Sequence, residues 1–251
     1  DDMAILDEAI LWSDGLIISC PTYEMTPTGH YKTVCDRIGC SHDVTFRKKA
    51  YDDGISAGKD PASLPDIRNF KKRVCALVAV GGALTENWLS FMLPTMFCMT
   101  MPMNMDVIDA FQYHGAMIYE NVVGNQPVME HTTEVGCHVC QALDAQKKGD
   151  EDERVRWRGA HEGMCPVCHN KLLSITGDGM KVECPTCGIA GTLKTDDGKI
   201  SVEWTAKEIS RSRLYMAGKL EHTMEISSNS AMPGSMPNLN ELLEPYRSVG
   251  E

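Results

Sequence analysis

Cys165-Pro166-Val167-Cys168 and Cys184-Pro185-Thr186-Cys187-Gly188, fifteen residues apart, carry the strongest chemical signal in the chain. A C-x-x-C turn points two thiolates at one ion while its backbone amides donate to the sulfurs. Two such knuckles on hairpins make a closed tetrahedral site of Cys165, Cys168, Cys184 and Cys187. Four thiolates suit Zn²⁺ and also a single iron. Zinc is the reading adopted, with iron as the alternative. The second knuckle is similar to that of rubredoxins, whereas His169 follows Cys168 where the rubredoxin pattern wants Gly. Strands are expected at 171–176, 181–183, 191–194 and 200–204, with Asp196-Asp197-Gly198 as a turn.

The other chemistry-bearing types give weaker signals. Cys137-His138-Val139-Cys140 lies within an expected helix and lacks a partner knuckle, so it reads as buried helix cysteines. His114 reads as a surface or core histidine, and the 16 methionines as soft core filling. No catalytic acid or base is identified. The 11 cysteines are odd in number, and six form C-x-x-C pairs, which points to metal or redox work in a reducing cytoplasm rather than a disulfide framework. Lys plus Arg is 24 against 35 Asp plus Glu, for a net charge of −11. That balance argues against a nucleic-acid partner or an anionic membrane surface. The apolar run at 91–105 is interrupted by polar residues and prolines, and is shorter than the roughly 20 residues a membrane span needs. The first residue is Asp1, and no signal peptide follows it.

The elements that must position these groups follow an α/β order. Helices are expected at 3–13, at 30–38 closed by Gly39, at 85–99 kinked or split at Pro94, and at 130–147. Continuous apolar runs at 16–20 and 74–80, with a third at 105–111, read as strands of a parallel sheet. Residues 40–72 read as an insertion, arm or lid with room for short helices. Ligands of such sheets sit at the carboxyl ends of the strands. Two loops occupy that place: Pro21, Thr22, Tyr23, Glu24 and Met25 after the first strand, and Gly81, Gly82 and Ala83 after the second. Together they offer hydroxyls, an aromatic face and unencumbered backbone, which suits a flat ring such as isoalloxazine.

Asp14-Gly15-Leu16-Ile17-Ile18-Ser19-Cys20-Pro21-Thr22-Tyr23, followed by Lys32 and Asp36-Arg37, resembles the "ADGIIxGSPxY…K…DR" block of the flavodoxin superfamily. The nearest branch is the NAD(P)H-dependent FMN reductases and iron–sulfur flavoproteins. The resemblance covers about residues 1–147. It implies FMN at the two loops, hydride transfer from NAD(P)H, and a homo-oligomer. That family's first strand and phosphate loop do not precede Asp1. The implied fold is therefore a flavodoxin-like parallel sheet lacking its first strands, with residues 16–20 at an exposed edge and weak hold on FMN. The expected organisation is a partial flavodoxin-like domain at 1–147, a charged solvated linker at 148–160, a zinc ribbon at 161–204 and a helical tail at 205–251. The tail is expected to hold a helix at 206–224, a loop at 227–237 and a last helix at 239–243.

Three functions compete on this reading. One is an FMN-dependent NAD(P)H oxidoreductase delivering hydride or electrons to a quinone, a flavin or a protein acceptor. Another is an electron-transfer subunit with rubredoxin-like iron. The third is a non-catalytic protein-binding module.

Overall fold

The computed structural model describes residues 1–117, 122–229 and 238–247. In chain order the helices and strands are α1 (Met3–Trp12), β1 (Gly15–Tyr23), β2 (Thr26–Pro27), α2 (Gly29–His42), α3 (Val44–Ser56), β3 (Arg73–Val80), α4 (Met92–Met96), β4 (Met105–Tyr113), α5 (Gln126–Lys148), α6 (Glu151–Val155), β5 (Ser174–Ile175), β6 (Lys181–Glu183), β7 (Ala190–Asp196), β8 (Lys199–Glu203), α7 (Ala206–Ser210), α8 (Met216–Asn229) and α9 (Leu239–Leu243).

Among the described residues the first sheet has the order β2-β1-β3-β4. β3 is parallel to both β1 and β4, with Ile17 opposite Ala76 and Leu77 opposite Ala110. The sequence of β3, Arg-Val-Cys-Ala-Leu-Val-Ala-Val, is buried almost throughout, as a central parallel strand covered on both faces must be. Val74, Ala76 and Val78 pack on one face against Val135, Val139 and Ala142 of α5. Cys75, Leu77 and Ala79 belong on the other face to a cluster with Met92, Met96 and Phe97. Most of the methionines between Met92 and Met105 are buried there, where an unbranched thioether chain adapts to irregular gaps. On the edge of β1 away from β3, the described pairing is Thr22 with Pro27 and Tyr23 with Thr26.

Several elements differ from the sequence reading for local reasons. β1 continues past Cys20 to Tyr23, because Glu24 and Met25 take left-handed φ values of 48° and 69° and turn the chain back into β2. The expected loop is thus a small hairpin. α2 runs through Gly39 to His42; the helix gives way at Asp43, whose side chain accepts from Thr45 and Phe46 amides and caps α3. Residues 40–72 therefore carry a 13-residue helix and two short 3₁₀ turns. The helix expected at 85–99 breaks into a 3₁₀ turn, α4 and a second 3₁₀ turn. α5 begins at Gln126, capped by the Asn125 side chain with a proline in its first turn, and ends at Gly149 with φ 74°.

The charged stretch read as a solvated linker holds α6. Arg154 within it is 2% exposed and reaches Asp106 Oδ2 on β4 at 2.7 Å. The helix expected at 206–224 is split into α7 and α8. Part of the loop expected at 227–237 is helical through Asn229, and residues 230–237 lie outside the described residues. Arg73 is fully buried and donates to the carbonyls of Ile10, Leu11, Arg68 and Lys71. It thereby satisfies carbonyls at the end of α1. Among the described residues no helix is long and apolar enough to cross a membrane.

Candidate functional site

The second sheet, β5-β6-β7-β8, is antiparallel and carries the two knuckles. The Sγ atoms of Cys165, Cys168, Cys184 and Cys187 all lie within 4.8 Å of one another, and all four residues are buried. Cys165 and Cys187 sulfurs are 3.7 Å apart, and those of Cys168 and Cys184 3.5 Å. A tetrahedral ion with metal–sulfur bonds of about 2.3 Å requires sulfur–sulfur separations of about 3.8 Å. The four thiols therefore fit a closed metal site and are too far apart for disulfides. Hydrogen bonds from the neighbouring thiols, Cys165 first, hold Cys184 well below the usual thiol range and push Cys187 above it. Thiolates this close repel one another unless a cation sits among them.

The knuckles repeat one backbone pattern. Cys165 N donates to Asn170 O and His169 N to Cys165 O; Cys184 N donates to Ile189 O and Gly188 N to Cys184 O. Cys187 N also donates to Cys184 Sγ at 3.4 Å. The residue after the second cysteine is left-handed in both, Gly188 at φ 71° and His169 at φ 56°. Glycine adopts this region freely, whereas for histidine it costs about 1–2 kcal/mol. A Cβ on Gly188 would also lie 2.4 Å from the Arg213 guanidinium, which closes over that knuckle while Arg213 N donates to Cys187 O. His169 keeps its conformation through its ring. Nδ1–H donates to Glu162 O at 2.9 Å, and the imidazole stacks on Trp157 with centroids 3.8 Å apart and planes at 11°. Burial lowers the His169 pKa.

The two loops expected to receive a flat ring are neighbours. Pro21 pairs with Val80, and Thr22 Oγ1 donates to Val80 O at 2.9 Å. The Gly81–Ala83 backbone is fastened to the segment after β4, with Gly81 N donating to Tyr113 O, Gly115 N to Ala83 O and Ala116 N to Gly81 O. Tyr23 and Leu84, within or next to these loops, and Met117, against Gly82, are exposed. A Cβ on Gly82 would lie 2.8 Å from Met117 Cβ, so the space beside it belongs to a neighbouring side chain.

The expected buried pair in α5 is reversed. Cys137 and Cys140 are exposed, Val139 is in the core, and His138 between them donates from Nδ1 to Asp109 Oδ2 at 2.7 Å. His114 is exposed. The sequence reading did not find the Asp109–His138 pair or the Trp157–His169 stack. The departure of His169 from the glycine pattern was the available signal for the stack.

A family model described as NADPH-dependent FMN reductase matches residues 1–114. The chain is 30% identical over 253 residues to flavone synthase cfoJ of Aspergillus candidus, covering 100% of this chain and 75% of that protein. It is also similar to a solved flavone reductase structure, with a TM-score of 0.84 and 22% identity over 99% of this chain and 81% of the other. That likeness makes the fold the flavodoxin-like α/β arrangement, with the antiparallel cysteine-bearing sheet added.

Proposed function

Since the chain belongs to the NADPH-dependent FMN reductase family, whose members are FMN-dependent oxidoreductases, we propose that it moves hydride between NADPH and a planar acceptor of the flavone class. The observation that carries the reading is the meeting of two carboxyl-end loops at Thr22 and Val80, on neighbouring parallel strands. The isoalloxazine ring would lie against Pro21, Thr22, Tyr23, Glu24 and Met25 on one side and Gly81, Gly82 and Ala83 on the other. Exposed Tyr23 and Met117 supply apolar cover for a flat ring, and the left-handed turn at Glu24 and Met25 presents backbone polar groups beside it. The Thr22 hydroxyl proton is committed to Val80 O, so Thr22 holds the two loops together and offers the ring only oxygen lone pairs.

Bound FMN would supply the hydride chemistry, accepting from the nicotinamide and exchanging with an electrophilic carbon of the acceptor. The chain's own residues bind and orient. The acceptor class is supported by two relatives whose names refer to flavones, one a synthase and the other a reductase. At the four cysteines we assign a structural metal, zinc with iron as the alternative, because the set is closed, leaving no open position for a substrate.

The test is direct. The full chain is loaded with FMN, freed of excess by gel filtration, and assayed for bound flavin and for NADPH oxidation with flavone, menadione or free FMN as acceptor. Flavin retention with flavone-dependent NADPH oxidation is the expected result. Oxidation only with menadione or free FMN would return the acceptor to a quinone or flavin. A colourless, inert protein would favour a binding module. Ferric-thiolate absorption would replace zinc by iron.

A further inference from the structure

Between the cysteine ribbon and the carboxyl end of β4 lies a cavity of about 690 Å³, lined on one wall by Glu86, Asn87, Ser90, Leu93 and Pro94. We propose that this cleft is the binding site of the flavone-class acceptor, with its ring system laid against the Trp157–His169 stack, so that the metal knuckle forms one wall of the acceptor site. The proposal rests on the functional reading above.

The cleft has the size of a small-molecule site, which spans roughly 300–1,000 Å³. Its walls are flat and aromatic. Trp157 and His169 stack on the ribbon side, while Phe111 and His131 meet across β4 and α5 with centroids 4.1 Å apart. Asn87 and Gln112 add amide-bearing residues to the lining, while the buried Asn170 side chain donates to Thr186 Oγ1 at 3.2 Å and braces the two knuckles together. Lys171 is engaged with Glu86 at 3.1 Å across the cleft, which favours an uncharged ring system over a phosphate-bearing nucleotide.

The position of the cleft joins it to the flavin loops. His114 lines it, and the next residue, Gly115, donates to Ala83 O at 2.6 Å. Asn87 lies only four residues beyond Ala83. The strain at His169 points the same way. The equivalent residue of the other knuckle is glycine, which meets the backbone requirement at no cost. A histidine held left-handed beside a metal ligand, with its ring on Trp157, is a backbone outlier of the kind that marks functional sites.

The test uses the FMN-loaded full chain and flavone itself as the titrant, with binding followed by calorimetry and turnover by NADPH oxidation. His169→Gly removes the ring and relieves the strain. Ser90→Trp fills the cleft from the opposite wall, where Ser90 is exposed and remote in sequence from the four cysteines. Both variants are expected to keep metal content and bound FMN. Both are expected to lose about tenfold or more in flavone affinity. If the unaltered chain binds flavone and both variants bind it equally well, the cleft is not the site and the acceptor class survives. If the unaltered chain retains FMN and oxidises NADPH with menadione yet binds no flavone, the acceptor class falls and the cleft proposal with it. Should His169→Gly lose its metal, Ser90→Trp alone decides by the same criterion.

Discussion

Asp109 Oδ2 accepts from His138 Nδ1 at 2.7 Å, and this bond ties edge strand β4 to helix α5 across the rim of their shared core. The carboxylate is 1% exposed, and its other oxygen has no hydrogen-bond partner among the described residues. A buried carboxylate stripped of its donor keeps its desolvation cost without compensation. His138→Ala should therefore lower unfolding free energy by about 3 kcal/mol. Adding Asp109→Asn to that background should recover part of the loss, because an amide is cheaper to bury than a charge. Urea unfolding of the three variants measures both effects. A loss below about 0.5 kcal/mol in His138→Ala would show that the pair is not a structural tie.

Metal removal should reach beyond the ribbon. Cys165, Cys168, Cys184, Cys187 and Ile189 belong to the same buried cluster as Met92, Met96 and Phe97 of the α/β part. A structural metal is coupled to the folding of its ligands, so Cys184→Ser or a strong chelator should unfold residues 165–204. Because that module covers the methionine face, amide exchange should also rise in α4, while β3 and α5 change least. Exchange that stays unchanged in the ribbon after verified metal loss would mean that the ion is dispensable for its fold.

Legibility in the sequence followed the range of the interactions. The cysteine spacing placed all four thiols because each C-x-x-C knuckle is a local backbone motif, and β3 declared itself by an uninterrupted apolar run. The end of β1 was misplaced because Glu24 and Met25, neither a glycine, adopt the left-handed turn that folds the strand back. α6 was hidden because a run of charges reads as solvated, whereas Arg154 is buried by its pairing with Asp106, 48 residues away in sequence. Val139 rather than the flanking cysteines faces the core, since helical periodicity alone leaves the rotation of a short motif open.

The two glycines after β3 should separate by mutation. A Cβ at Gly81 would lie 2.6 Å from the side chain of Leu89, which is fully buried, so Gly81→Val overpacks the core and should cost about 1–3 kcal/mol. A Cβ at Gly82 would lie 2.8 Å from Met117 Cβ, so relief requires the exposed segment after β4 to shift rather than the core to repack. Gly82→Val should therefore cost no more stability than Gly81→Val while displacing Met117 and its backbone from the loop. Retained flavin, measured by absorbance after gel filtration, should drop several-fold in Gly82→Val. Full flavin retention there would place the ring elsewhere.

Lys219 on α8 should make stability rise with alkaline pH. Its side chain is 7% exposed, and burial lowers its pKa to about 8, partly opposed by the charges of Asp106 and Asp43. Between about pH 8 and the ordinary lysine value of 10.5, the unfolded chain holds a proton that the folded chain has released. Unfolding free energy therefore increases with pH across that window, and below about pH 8 the folded state bears the whole cost of a buried ammonium. The gap corresponds to about 3 kcal/mol. Lys219→Met keeps the length of the side chain and removes the charge. It should raise stability at pH 7 by about 1–3 kcal/mol and flatten the rise between pH 8 and 10, after allowance for groups common to both proteins. Chemical denaturation at pH 7, 8, 9 and 10 gives both curves. If they run parallel, Lys219 is not the group that titrates. If Lys219→Met is less stable at pH 7, the charges of Asp106 and Asp43 outweigh the burial of the ammonium, and α8 is held to the fold by that attraction.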